Sequence, residues 1–128
     1  MRLLLDTHAL IWWLAGDAGL TRVAREAIAD QTNDVFVSAA SAWEIATKHR
    51  IGKLPQAAIL AADIAGATAQ QGFQELTITL RHAQIAGSLP GPHRDPFDRM
   101  LIAQALHEQM AFVSQESIFG RYGVQMLW

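Results

Sequence analysis

The chain has 128 residues, of which 51% are hydrophobic and 17% are charged, and its net charge is −2. This composition predicts one folded domain over residues 1–128 and argues against intrinsic disorder. The absence of cysteine excludes disulfide scaffolds, thiol nucleophiles and zinc sites built on thiolates. No apolar run reaches the ~20 residues of a membrane helix, and Asp6 interrupts the apolar N-terminus, so we expect a cytoplasmic protein with no membrane partner.

The net negative charge is unusual for a protein that binds nucleic acid, because such proteins are usually basic. The count changes if five carboxylates gather around a divalent cation. Without them, seven acidic and ten basic side chains remain, so the rest of the surface is mildly basic. The overall charge therefore does not exclude a polyanionic substrate. The five carboxylates set aside are Asp6, Glu44, Asp95, Asp98 and Glu116.

Short apolar runs alternate with helical patterns along the chain. In chain order, the first half predicts a strand at 3–5, helices at 9–15 and 20–31, a strand at 34–37, and helices at 39–50 and 56–70. The second half predicts a strand at 73–76, a helix at 80–87, a loop at 89–94, a helix at 95–109, and strands at 111–114 and 124–127. Thr21 and Ser38 are the predicted caps of the helices that follow them.

Strands separated by helices predict βαβ crossovers, and hence an α/β fold with a mainly parallel sheet and helices on both faces. Binding sites in such sheets lie beyond the carboxyl ends of the strands. Asp6 directly follows the first predicted strand, Ser38 and Ser41 follow the second, and Glu116 follows the fourth. These positions are therefore the first candidates for a site.

Asp6 is the sharpest of these features, because a carboxylate next to a buried strand is costly unless it is paired or bound to a metal. An equally good interpretation is that Asp6 caps the helix that follows. A phospho-Asp6 intermediate, as in phosphatases of the haloacid dehalogenase type, is a further alternative. Those enzymes carry a second Asp two residues later, where this chain has His8, and this departure argues against that mechanism.

The other four carboxylates each have a structural alternative. Glu44 lies four residues before Lys48, a spacing that favours a helical ion pair. Asp95 precedes Pro96, which is a favoured helix N-cap, and Asp98 then occupies the first turn, where a negative charge suits the helix dipole. Glu116, taken alone, is better interpreted as a solvated loop acid, and its position after the fourth strand is the argument for a site role.

Taken together, several carboxylates at one end of a parallel sheet predict a site for Mg²⁺ or Mn²⁺, which prefer oxygen ligands. Such a cation lowers the pKa of water and neutralises charge on a phosphodiester. Without it, the carboxylates repel one another.

Four segments, 4–14, 37–48, 93–105 and 112–124, together resemble PIN-domain proteins of the VapC type, the toxins of bacterial and archaeal toxin–antitoxin pairs. They include Leu-Asp-Thr-His-Ala-Leu at 5–10, Ser-Ala-Trp-Glu-Ile at 41–45 and Asp-Pro-Phe-Asp at 95–98. The resemblance covers essentially the whole chain. It implies a three-layer α/β/α sandwich, a Mg²⁺- or Mn²⁺-dependent endoribonuclease acting on RNA, a homodimer and a small antitoxin partner.

Carried over residue by residue, the resemblance places the family's acids at Asp6, Glu44 and Asp98, with Asp95 as a supporting acid or cap. The fourth family acid is usually Asp, and this chain has Glu116 there, which puts a two-metal mechanism in doubt. The predicted catalytic and metal-binding residues are Asp6, Glu44, Asp98 and Glu116. Predicted supporting residues are Thr7, Ser41 and Ser114, and predicted contacts to RNA phosphate are Arg99, Arg94 and Lys48, whereas Arg50 and Lys53 suit a solvated basic face.

Four aromatic residues, Trp12, Trp13, Trp43 and Phe97, are candidates for stacking on RNA bases, although core or interface packing is the better prediction for them. Trp12 and Trp13 are adjacent, so we expect only one of them to face the core. The main alternative function is a catalytically weak PIN-fold binding or regulatory module that keeps the antitoxin partner. A flap-type DNA nuclease shares the acids, but the chain has no room for a DNA-clamping domain.

Overall fold

A computed structural model describes residues 1–91 and 93–128. The strands are β1 (Arg2–Leu5), β2 (Asp34–Ser38), β3 (Gln74–Leu76), β4 (Ala111–Val113) and β5 (Met126–Leu127). The α-helices are α1 (Thr7–Ala15), α2 (Arg22–Ala29), α3 (Ala39–Arg50), α4 (Ala58–Ala62), α5 (Ile64–Gln70), α6 (Leu80–Ser88) and α7 (Pro96–Glu108). Two 3-10 helices cover Pro55–Ala57 and Ser117–Tyr122.

The five strands form one parallel sheet in the order β3-β2-β1-β4-β5. The central strand is β1, where Leu4 pairs with Phe36 on one side and with Phe112 on the other. Residues Leu3 to Leu5 are at most 1% exposed. A strand buried on both faces needs apolar side chains throughout, which explains the unbroken Leu-Leu-Leu run.

Helices cover both faces of the sheet and build two hydrophobic cores, which confirms the predicted three-layer α/β/α sandwich. Leu3 and Leu5 point to one face and pack with Leu10 of α1 and Ile28 of α2. Leu4 points to the other face and packs with the apolar side of α7. This alternation follows from the two-residue period of a strand.

Most element positions agree with the sequence predictions, and the predicted caps Thr21 and Ser38 both accept hydrogen bonds from the first turns of their helices. The predicted helix at 56–70 is wrong as a single element. The structure divides it into a 3-10 helix, α4 and α5, because Asp63 leaves helical geometry (φ −156°, ψ 79°) and its side chain caps Gly66 of α5. An Asp in this position competes with the helix backbone and starts a new helix instead.

The segment before α7 is held by Arg99, whose guanidinium donates to the backbone carbonyls of Ala86, Leu89 and His93. Pro92, part of the predicted loop at 89–94, lies outside the described residues. In the described part of the chain, every helix is too short or too polar to cross a membrane.

Candidate active site

Asp6 lies at the carboxyl end of β1 and at the start of α1. Its Oδ1 accepts a hydrogen bond from the Thr7 backbone N–H (2.7 Å), and its Oδ2 accepts one from Ser114 Oγ (2.8 Å) at the end of β4. The residue is only 5% exposed. Asp6 is therefore a helix cap, and its second oxygen is fixed by the neighbouring strand.

Glu44 enters the same region from α3. Its Oε1 accepts a hydrogen bond from Thr7 Oγ1 (2.6 Å), which also lies 3.0 Å from Ser41 Oγ. Its Oε2 accepts from Lys48, one helical turn later, as the spacing predicts. Since Thr7 bonds to Asp6 through its backbone and to Glu44 through its side chain, it links the first two predicted acids.

Asp98 is brought to the site by the first turn of α7. Asp95 caps that helix, its Oδ1 accepting from the Asp98 backbone N–H (3.0 Å). The Asp98 side chain is 17% exposed, and its Oδ2 lies 2.9 Å from His93 Nε2. The pairing with His93 was not predicted from sequence, because the loop conformation between them is not encoded by a regular period.

Glu116 follows β4 on the segment that leads into the 3-10 helix Ser117–Tyr122. Its backbone N–H donates to Ser114 Oγ (3.1 Å), which itself donates to Asp6. The Glu116 side chain is exposed, and its carboxylate accepts no hydrogen bond from the described residues. Ser114 therefore ties the Glu116 segment to Asp6 and leaves the Glu116 carboxylate free.

Burial and neighbouring charges raise the pKa values of two of these acids. Burial raises the pKa of Asp6 from 3.8 to about 6, with the Glu116 charge adding to the effect and hydrogen bonds from Ser114 and Thr7 opposing it. Burial likewise raises the pKa of Asp98 to about 6; the hydrogen bond with His93 opposes this, and the charges of Asp95, Asp6 and Glu116 add to it. Buried, mutually repelling carboxylates are typical of functional sites.

Lys48 partly balances these charges. Burial alone disfavours its positive charge, but the hydrogen bond and charge of Glu44, followed by the charges of Asp95 and Asp98, raise the pKa of Lys48 above its usual value. Lys48 thus remains a cation at the border between α3 and α7. It is the cation nearest to Glu44 in the described part of the chain.

The donor set suits a hard divalent cation, because every candidate ligand is a carboxylate oxygen and the negative charges lack full compensation. The spacing is wider than a closed coordination shell. Among residues 1–91 and 93–128, no three of these acids bring ligand atoms within 4.8 Å of one another. Mg²⁺ typically keeps several of its waters, so the residues fit this ion through water-mediated contacts as well as direct ones.

A second group of titratable side chains, His82, His107 and Glu108, does bring ligand atoms within 4.8 Å. Its two members on α7, His107 and Glu108, lie about ten residues after Asp98, roughly 15 Å along the helix axis. His82 Nδ1 accepts from the Thr79 backbone N–H (3.1 Å), which leaves the ring proton on Nε2, 3.0 Å from Glu108 Oε2. This geometry describes a capping box and a hydrogen-bonded pair, and it leaves no free imidazole nitrogen on His82 for a metal.

The predicted phosphate contacts differ in their surroundings. Arg94 is exposed, and Lys48 is bound to Glu44. Arg99 has three backbone carbonyls as acceptors, so the structure gives its guanidinium a role in holding the segment before α7.

The predicted aromatic residues form separate ring contacts. Trp43 is 60% exposed and contacts Phe97 edge-on at a centroid distance of 4.7 Å. The expectation that only one residue of the Trp12–Trp13 pair faces the core is wrong. Both are half-buried against the same hydrophobic core, Trp12 beside Trp128 and Trp13 beside Phe73.

Solved structures share this fold. The chain resembles VapBC2 from Rickettsia felis (15% identity, TM-score 0.70, covering 98% of this chain and 97% of that one). It also resembles VapC20 from Mycobacterium tuberculosis (20% identity, TM-score 0.67, covering 95% of both chains) and VapBC-1 from Haemophilus influenzae (13% identity, TM-score 0.62, covering 98% and 96%). A search of curated proteins gave no match. The sequence matches the PIN domain over residues 3–125, so the chain belongs to the PIN-domain family.

Proposed function

We propose that this protein is a divalent-cation-dependent endoribonuclease and the toxin of a toxin–antitoxin pair, acting through Asp6, Glu44, Asp98 and Glu116. The observation that carries the proposal is the meeting of these acids at the carboxyl end of a PIN-domain sheet, where burial keeps the pKa of both Asp6 and Asp98 at about 6. Burying ionised carboxylates without a cation is costly, and a phosphodiester nuclease has a use for that cation.

Each acid has a distinct task in this mechanism. Asp6, Glu44 and Asp98 hold the cation directly or through its waters, with Ser114 fixing Asp6 and Thr7 fixing Glu44. When bound, Mg²⁺ or Mn²⁺ supplies charge neutralisation at the phosphate and lowers the pKa of water. Glu116, free of other hydrogen bonds among the described residues, orients the attacking water in line with the phosphorus. Asp95 supports the site by capping α7, and Arg94 with Lys48 contacts the phosphate backbone.

The nature of the substrate and partners is supported by the structural neighbours. VapC20 is described as a toxin that cleaves the Sarcin-Ricin loop. We propose by analogy that RNA is the substrate of this chain, that a small antitoxin blocks the site, and that the protein acts as a cytoplasmic homodimer with one PIN-like domain spanning residues 1–128.

Cleavage of a total small-RNA pool by the purified protein tests the proposal. The reaction is run with Mg²⁺, with Mn²⁺ and with EDTA, using wild type, Asp6→Asn and the matched control Asp34→Asn, which changes an exposed Asp at the amino end of β2. We expect cation-dependent cleavage by wild type and Asp34→Asn, and a loss of at least ~100-fold in Asp6→Asn. Equal cleavage by Asp6→Asn, or cleavage that survives EDTA, contradicts the proposal.

One observation favours a second candidate, a PIN-fold binding module without turnover. The Lys48 ammonium neutralises Glu44 in the place where a nuclease needs that carboxylate for its cation. A folded wild type that binds no Mn²⁺ and cuts no RNA supports this alternative. The phosphatase and DNA nuclease alternatives are tested in the same way, by trapping a phosphate analogue on Asp6 and by offering DNA in place of RNA.

A further inference from the structure

A small cavity opens beside the acids, between the start of α1 and the segments that follow β4 and β5. It has a volume of about 160 Å³. Asp6 and Glu116 form one wall, and Trp12 and Trp128 form another. Because pockets for whole ligands usually measure about 300–1,000 Å³, the size of this cavity suits one planar ring system.

The aromatic wall is built from residues that are distant in sequence. The Trp12 and Trp128 rings lie 5.8 Å apart at an angle of 52°, and the His8 ring lies 5.9 Å from Trp12. His8 and Trp12 are one helical turn apart, so both point to the same side of α1. Both tryptophans are half-buried, pack against the hydrophobic core and line the cavity. Their orientation is therefore set by packing before any ligand binds.

The position of this wall relative to Asp6 indicates what it can bind. Asp6 and Glu116 line the same cavity as the two tryptophans, so a nucleobase in the cavity would lie beside acids that are proposed to hold the cation. Every nucleobase has a π-face that stacks on tryptophan, with about 1–3 kcal/mol per base in proteins that bind single strands. His8 and Gln115, which also line the cavity, add polar groups for the edge of a base.

We propose that Trp12 and Trp128 form a stacking site for one unpaired nucleobase next to the cleaved phosphodiester bond. This inference rests on the proposed ribonuclease function and adds its recognition element. Trp13 has no part in it, because it packs on Phe73 and donates to Gln71 on another side of α1.

The test uses a short oligoribonucleotide that wild type cleaves, and a series in which each position flanking the cut carries an abasic ribose. The variants are Trp128→Leu and Trp12→Leu, which keep apolar volume but remove the aromatic face. Trp128→Phe serves as the conservative variant and Trp13→Leu as the matched control. Thermal unfolding and Mn²⁺ titration of each variant show whether the fold and the acids are intact.

We expect one abasic position to lower wild-type kcat/KM about 10-fold or more, which corresponds to about 1.4 kcal/mol. On the intact oligonucleotide, Trp128→Leu is expected to lower kcat/KM by a similar factor. On the abasic oligonucleotide its kcat/KM falls little further, and Trp128→Phe keeps part of the wild-type kcat/KM. This non-additivity is the signature of a direct contact. Equal sensitivity of wild type and Trp128→Leu to every abasic position overturns the inference while leaving the nuclease intact.

Two further outcomes separate failure of the proposed nuclease function from failure of the stacking site alone. If wild type cleaves no RNA, the proposed function fails and the stacking site fails with it. The second outcome uses acrylamide quenching of tryptophan fluorescence in a wild type that cleaves RNA. If an arginine-containing peptide protects the fluorescence and the oligonucleotide does not, the cavity binds a protein partner. That result overturns the inference, because an acidic wall with tryptophans also suits a guanidinium group.

Discussion

Removing the Asp6 charge is expected to stabilise the protein in the absence of a divalent cation while abolishing its activity. Burial raises the pKa of Asp6 from 3.8 to about 6. Each pKa unit corresponds to about 1.4 kcal/mol, so the ionised carboxylate costs the folded state up to about 3 kcal/mol at neutral pH. Asn keeps an acceptor for the Thr7 N–H but loses the charge-assisted bond from Ser114, which offsets about 1 kcal/mol.

The net expectation for Asp6→Asn is a gain of about 1–2 kcal/mol, or about 3–8 °C in Tm for a chain of this size. The assay is thermal unfolding in EDTA from pH 4.5 to 7.5, with Asp34→Asn as the matched control. Since the pKa of Asp6 is raised in the folded state, the cost of its charge is absent below the unfolded value of 3.8 and develops as pH rises toward 6. The advantage of Asp6→Asn therefore grows with pH over this interval.

A bound divalent cation is expected to reverse the order of stability of wild type and Asp6→Asn. Ligand that binds only the folded protein stabilises it by about 2.7 kcal/mol at 100 times its Kd, and Asp6→Asn loses this gain. Wild type becomes the more stable protein in excess Mn²⁺. If Asp6→Asn is less stable than wild type at pH 7.5 in EDTA, or if the difference between them does not change with pH, the claim that Asp6 is destabilised by its own charge is refuted.

Three further predictions concern the same elements. The cleavage rate is expected to fall as pH drops through about 6, because protonation of Asp6 and Asp98 removes their charge. Saturating cation shifts this acid limb of the rate–pH profile to lower pH, and a rate that is constant from pH 5 to 8 contradicts the prediction. Ser114→Ala removes the hydrogen bond that lowers the pKa of Asp6, so the acid limb shifts to higher pH, whereas the control Ser117→Ala, at an exposed position, leaves it in place; an unchanged limb in Ser114→Ala argues against the Ser114 contact. Arg99→Ala leaves three carbonyls without their donor and is expected to cost about 2–4 kcal/mol in urea unfolding, whereas a change under about 0.5 kcal/mol shows that Arg99 does not hold the segment before α7.

Features set by neighbouring residues could be predicted from the sequence. The Asp95–Pro96 start of α7 is local chemistry, and the structure shows the expected cap. The Leu-Leu-Leu run could only suit a strand buried on both faces, and β1 is the centre of the sheet. The Glu44–Lys48 contact follows from helical periodicity alone.

Features that depend on distant residues could not be predicted. The bond from Ser114 to Asp6 spans 108 positions in the chain, and the Trp12–Trp128 wall spans more.

The split of the predicted helix at 56–70 has a local cause, the capping side chain of Asp63, which its alanine-rich surroundings obscured. The His82 capping box was missed because His is an uncommon partner in that motif.

Calorimetric titration with Mn²⁺ tests the central claim that the acids at the carboxyl end of the sheet form the cation site. Wild type, Asp6→Asn and Asp98→Asn are compared with Asp34→Asn and with His82→Ala, which changes the other titratable group. We expect binding in wild type, Asp34→Asn and His82→Ala, and its loss in Asp6→Asn and Asp98→Asn. Binding that survives Asp6→Asn and Asp98→Asn but disappears in His82→Ala contradicts the account.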